Sequence, residues 1–247
     1  KQGIRPTIKA ITGEISISLT AAIGFTTIYF ALAVTLSSLI KRSYRRQKSS
    51  FSIVFIALAG ITLLSVPIQN RQLSIEPLIG LATGLTLWFA VKRGKYKQRS
   101  ITAITGLLTG YFLLSIADAP GGTADALMFN WRPFKYQLVS APALLGMLDK
   151  VWPYIIVAYL SLRYFEPLKG SKVIPIGAAI LCSYSAVIEL IQWQSPSRYG
   201  DITDILLAPL SWLLACRIYR FQPDETREGR SAVPLLSVVV LVLASYM

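Results

Sequence analysis

The stretch Val173-Ile174-Pro175-Ile176-Gly177-Ala178-Ala179-Ile180-Leu181-Cys182-Ser183-Tyr184-Ser185-Ala186-Val187-Ile188-Glu189-Leu190-Ile191-Gln192-Trp193 decides the class of fold. It carries a single charged residue, Glu189. About 20 apolar residues wound into a helix cross a hydrocarbon core of about 30 Å, so the stretch predicts a transmembrane helix. Composition agrees, because only 15% of the 247 residues are charged, against about a quarter in soluble domains.

Seven further apolar runs can be marked from this one. Upstream lie about Ile15–Ile40, Phe51–Ile68, Ile75–Val91, Ile101–Ala117 and Val151–Tyr164; downstream lie Ile205–Cys216 and Val233–Met247. The expectation is an all-α polytopic transmembrane helix bundle with seven or eight spans. Val151–Tyr164, Ile205–Cys216 and Val233–Met247 are short and need tilt or local thinning. The last could instead lie in the interface. The first run exceeds a signal-peptide core and no small-residue cleavage pattern follows it, so it reads as a true span.

Net charge is +13, from 25 Lys and Arg against 12 Asp and Glu. The cations come in bursts between apolar runs, as in Lys41-Arg42-Ser43-Tyr44-Arg45-Arg46 and Lys92-Arg93-Gly94-Lys95-Tyr96-Lys97-Gln98-Arg99. Short basic loops of this kind stay cytoplasmic, which explains the charge without nucleic acid as a partner. Alternation then places Arg163–Lys172 and Arg217–Arg230 inside, and Asp118–Lys150 and Gln194–Asp204 outside. Lys1, Arg5 and Lys9 fall outside and break the rule mildly.

The chain has no histidine, which removes His-based triads and His-ligated zinc or haem. Cys182 and Cys216 sit in apolar runs and read as small buried residues. Gly80/Gly84 and Gly106/Gly110 form two Gly-x-x-x-Gly patterns, best explained by close helix packing. Asp118 and Asp125 read as solvated loop residues, and Asp149-Lys150 as an interfacial anchor pair. No phosphate-binding loop, dinucleotide fingerprint or nucleophile elbow is present, and no cofactor is expected.

Polar residues gather around the end of the quoted stretch. Cys182, Ser185, Glu189 and Gln192 recur at three- and four-residue spacing and share a helix face. A polar stripe on a membrane helix turns toward protein or water. Glu189 sits roughly 6 Å inside the outer end and needs a partner. Arg198 is the nearest candidate, folded back by the Pro196 turn. Asp201 suits the N-cap of the next helix, and Asp204, three residues on, shares its face. Three readings stay open: Arg198 clamps the carboxylates and pins two helices together; the surplus carboxylates line an external groove for a polar or cationic ligand; or they hold a hard cation such as Mg²⁺ or Ca²⁺. The segment Asn130-Trp131-Arg132-Pro133-Phe134, stiffened by proline and rich in aromatics, reads as lying flat on the outer membrane surface.

Glu189-x-x-Gln192, Arg198 and Asp201-x-x-Asp204 ahead of an apolar helix together resemble the VanZ-like family. Asn130, Pro133 and Phe134 resemble that family's Asn-x-x-Pro-Phe segment, and Trp152-Pro153 its proline-containing helix. The similarity covers about Asn130 to Arg220 and divides the chain into residues 1–117, four spans outside it, and residues 118–247, the VanZ-like region. Where the family has Asn and then Gly after its last Asp, this chain has Ala208 and Ser211, with Pro209 between them as an expected kink.

The resemblance implies a bacterial cytoplasmic-membrane protein of the cell envelope, related to lowered teicoplanin sensitivity. Its functional residues would be Glu189, Gln192, Arg198, Asp201 and Asp204, supported by Asn130, Arg132, Pro133 and Phe134. Expected partners are membrane lipids and an amphiphilic or lipid-linked envelope ligand, or another envelope protein. The alternative is a membrane-embedded enzyme on a lipid-linked substrate, with Glu189 or Asp201 as acid–base. A transporter would need polar residues at mid-span, where the runs are nearly all apolar.

Overall fold

The computed structural model describes residues 18–43, 50–69, 75–92, 94–117, 129–135, 141–164, 173–194 and 200–220. Helix α1 (Leu19–Ser43) starts at Ser18, whose hydroxyl accepts the Ala21 N–H at 3.3 Å as an N-cap. It is followed by α2 (Ser50–Gln69), α3 (Ile75–Val91) and α4 (Tyr96–Ala117). The strand β1 (Phe129–Asn130) precedes α5 (Ala141–Tyr164) and α6 (Val173–Trp193). The strand β2 (Gly200–Asp201) leads directly into α7 (Ile202–Arg220).

Against the expected seven or eight spans, three helices among the described residues are long and apolar enough to cross a membrane: Leu19–Ile40, Tyr96–Ile116 and Val173–Trp193. Ile75–Val91 and Lys150–Leu162 are shorter apolar helices. The run Val233–Met247 lies outside the described residues. The expected all-α fold needs one correction, because β1 and β2 form a two-residue parallel pair, Phe129 opposite Gly200 and Asn130 opposite Asp201. So short a pair leaves no period-2 pattern in the sequence.

Helix α1 is the hub of the first four. It packs chiefly on α3 and α4, and Tyr29, Ala31, Leu32 and Ala33 are fully or almost fully buried. Glycine makes this closeness possible. A Cβ on Gly84 would lie 2.7 Å from the Thr26 carbonyl oxygen and 2.9 Å from the Phe30 nitrogen, both backbone atoms that cannot step aside. Both Gly-x-x-x-Gly patterns therefore face α1, as close packing requires. Helix α7 packs on α5 and α6, and α4 joins the two groups through contacts with α5 and α6. The Trp212 indole of α7 lies over Gly177 of α6 and donates to the Ile174 carbonyl at 3.0 Å.

Several helices extend beyond the apolar runs. Helix α5 begins at Ala141, ten residues before Val151, and therefore carries Asp149-Lys150 within it. Helix α4 takes in Lys97 and Arg99, and α7 runs from Ile202 through Pro209 to Arg220. Charged and polar residues ended the apolar runs but not the helices, because hydropathy marks lipid depth rather than backbone conformation.

Candidate functional site

Three chain segments converge at the C-terminal end of α6. Glu189 is buried, 4% exposed, and its Oε2 accepts the backbone N–H of Asp201 at 2.8 Å. Asp201 in turn caps α7, its Oδ1 accepting the Thr203 N–H at 2.8 Å. Ser185, one turn before Glu189, donates its hydroxyl to the Asp204 carbonyl at 2.9 Å. The α6 stripe thus docks on the first turn of α7, where N–H groups lack intrahelical acceptors and attract carboxylates.

The third segment is β1 and the turn after it. Asn130 pairs with Asp201, and its Oδ1 accepts the Arg132 N–H at 3.3 Å. Phe134 holds a left-handed backbone, φ 61°, and donates its N–H to the Thr203 hydroxyl at 2.9 Å. Phe129 stacks with Trp131 and meets Trp193 edge-on, with centroids 4.3 and 5.8 Å apart. The Asn-x-x-Pro-Phe segment is therefore docked on the same helix end as Glu189 and Asp201. Trp131, Arg132 and Pro133 face outward.

The side chain that sequence reasoning missed is Lys150. It forms an ion pair with Asp204 Oδ2 and so brings an ammonium to the carboxylates of the cluster. Asp204 is buried beside Glu189. Tyr154, one turn after Lys150, reaches Ser185 and closes the floor of the cluster. A signal for Lys150 was present: Leu144, Leu148 and Trp152 keep helical spacing across it, so the helix could have been extended back.

Of the expected residues, one lies outside the described residues and one does not join the cluster. Arg198, the expected clamp, lies outside the described residues. Gln192 turns away and donates its amide to the Ser115 carbonyl at the end of α4, 3.2 Å distant. Three residues along a helix leave side chains about 60° apart, enough to send Glu189 to α7 and Gln192 to α4. At the positions that depart from the family pattern, Ala208 is buried and Ser211 donates back to the Leu207 carbonyl at 2.5 Å.

Two buried polar atoms of the cluster have no hydrogen-bond partner among the described residues: Asn130 Nδ2, a donor, and Asp204 Oδ1, an acceptor. Buried polar atoms are almost always satisfied, so a donor and an acceptor left over at one helix end call for a further group. Among the described residues, no group of three or more His, Cys, Asp or Glu side chains converges to hold a metal. What remains at this helix end is one amide donor, Asn130 Nδ2, and one carboxylate acceptor, Asp204 Oδ1.

No family model, no curated protein and no solved structure matches the chain.

Proposed function

We propose that the chain is a VanZ-like multi-pass protein of the bacterial cytoplasmic membrane, with seven or eight spans. Its polar site on the external face binds an amphiphilic or lipid-linked ligand of the cell envelope. The membrane reading is supported by α6, which exposes Ile176, Ile180, Val187 and Leu190 while burying Ser185 and Glu189. An apolar outer face over a polar inner one suits lipid outside and protein inside. Leu210, Leu213 and Leu214 continue that exposed apolar surface on α7.

The observation that carries the ligand reading is the meeting of the family-like pieces, Asn130 against Asp201 and Asp201 on Glu189, around two unsatisfied buried polar atoms. Binding is favoured over acid–base catalysis because Glu189 and Asp201 already hold backbone N–H groups of the β2–α7 junction. A residue fixed in that way serves architecture, and the Asn130 and Asp204 atoms without a partner among the described residues are left for recognition.

The test is glycopeptide sensitivity of a susceptible bacterium expressing the wild type, Asn130→Ala or Asp204→Asn, with the melting temperature of each purified protein. Loss of protection at a preserved melting temperature is the expected outcome. Unchanged protection in both variants would sink the reading.

A further inference from the structure

The opposite end of α4 carries a second polar feature, unrelated to the Glu189 cluster. From Lys92 to Arg99 the sequence holds five cations, and it contains no acidic residue anywhere between Glu76 and Asp118. Four of the cations are on described residues. Lys92 is turned back over the Phe89 ring, 3.6 Å from its centroid, and Lys95 and Lys97 are exposed.

Arg99 behaves differently. It is only 7% exposed, and its Nε has no hydrogen-bond acceptor among the described residues. Its side chain folds back over the first turn of α4, with Cζ 4.3 Å from the Tyr96 ring centroid and Cγ beside Gly94. The guanidinium is therefore carried toward the N-terminal end of a 22-residue helix, where the first N–H groups point outward without intrahelical partners. A buried cation without a counter-charge is costly, and a guanidinium is a fork of N–H donors with no acceptor. Helix dipole, orphan N–H groups and fork all address an oxyanion.

We propose that Arg99, Lys95 and the opening N–H groups of α4 form a site for a phosphate group, which an anionic phospholipid headgroup supplies. Phosphate fits better than a carboxylate because its several oxygens can meet the fork, the ammonium and the helix end together. The exposed ring of Tyr96 beside the site suits headgroup depth. This site does not rest on the VanZ-like reading. It shares with that reading only the membrane that brings the headgroup.

The experiment titrates full-length, delipidated protein in detergent with phosphatidylglycerol or phosphatidylcholine and counts bound lipid by native mass spectrometry. A parallel arm measures the melting temperature in inorganic phosphate and in chloride at equal ionic strength. Wild type should prefer phosphatidylglycerol by about ten-fold, because phosphatidylcholine carries the same phosphate but its quaternary ammonium offsets the charge that Arg99 and Lys95 meet. Arg99→Gln should abolish the preference, and Lys95→Gln, at an exposed position, should reduce it. Protection by inorganic phosphate without lipid preference would support the phosphate site and make its source soluble. A wild type showing neither effect overturns the proposal, even if Arg99→Gln fails to fold. So does an Arg99→Gln or Lys95→Gln protein that keeps the full preference.

Discussion

Thr35, Ser37 and Ser38 of α1 are buried, and each gives its hydroxyl hydrogen to a carbonyl three or four residues back in its own helix. Around α6 the partners are remote: Glu189 finds Asp201 12 residues away, Lys150 finds Asp204 54 away, and the Phe134 N–H finds Thr203 69 away. Both regions bury polar atoms, but these three hydroxyl hydrogens of α1 are placed within one helix, even though Ser37 also accepts the Trp88 indole N–H and Tyr29 meets Thr62 across helices. The α1 hydroxyls would be content in an isolated helix in lipid. The α6 cluster exists only when three segments meet, and two of its atoms are still unsatisfied among the described residues.

The comparison can be broken experimentally, and the largest effect belongs to the scaffold. Gly84→Ala must push a methyl into two backbone atoms of α1, so we expect a loss of about 3 kcal/mol, measured by unfolding in detergent. A smaller value would mean that α1 and α3 slide easily. Next, Lys150→Ala leaves Asp204 buried without its ion pair. Because the Lys150 side chain is 44% exposed, the full cost of a broken buried pair is reduced by screening to about 2 kcal/mol. The double variant Lys150→Met/Asp204→Leu should recover part of that loss, and no recovery would show that the pair also carries packing.

Asp201→Ala removes the α7 cap and should cost about 1 kcal/mol, whereas Asp201→Asn, an equally good cap, should cost almost nothing. If Asn is as damaging as Ala, charge rather than capping is what Asp201 supplies. The smallest effect is expected at Gly106. A Cβ there meets only ordinary contacts, the nearest at 3.6 Å from Thr27, so Gly106→Ala should stabilise by up to about 1 kcal/mol. The two ends of the same kind of motif would then differ in sign.

What could be read in the sequence were the features that repeat along one element. Ser185 and Glu189 on one face, Asp201 as a cap and the glycine patterns all follow from helical spacing, and the structure places each as spacing requires. What could not be read depended on two elements at once. Gln192 shares a stripe with Glu189 but faces a different neighbour, and only the position of α4 decides that. The helix through Lys150 could have been read from Leu144, Leu148 and Trp152, but its pairing with Asp204 could not, because that depends on how α5 packs on α7. The β1–β2 pair is two residues long and carries no pattern.

The left-handed turn at Phe134 has a consequence in time. Its backbone is an uncommon one for a residue with a side chain, and its N–H partner, Thr203, is synthesised 69 residues later. While α5 and α6 are being made, the Phe134 N–H therefore has no Thr203 to close upon, although Phe129 can already meet Trp193 of α6. The turn closes only when the β2–α7 junction has been made, so a chain interrupted before Thr203 would hold most of the described helices and still lack the site. Latching of Phe134 is in effect the molecule's own sign that its biogenesis has reached the last described helix.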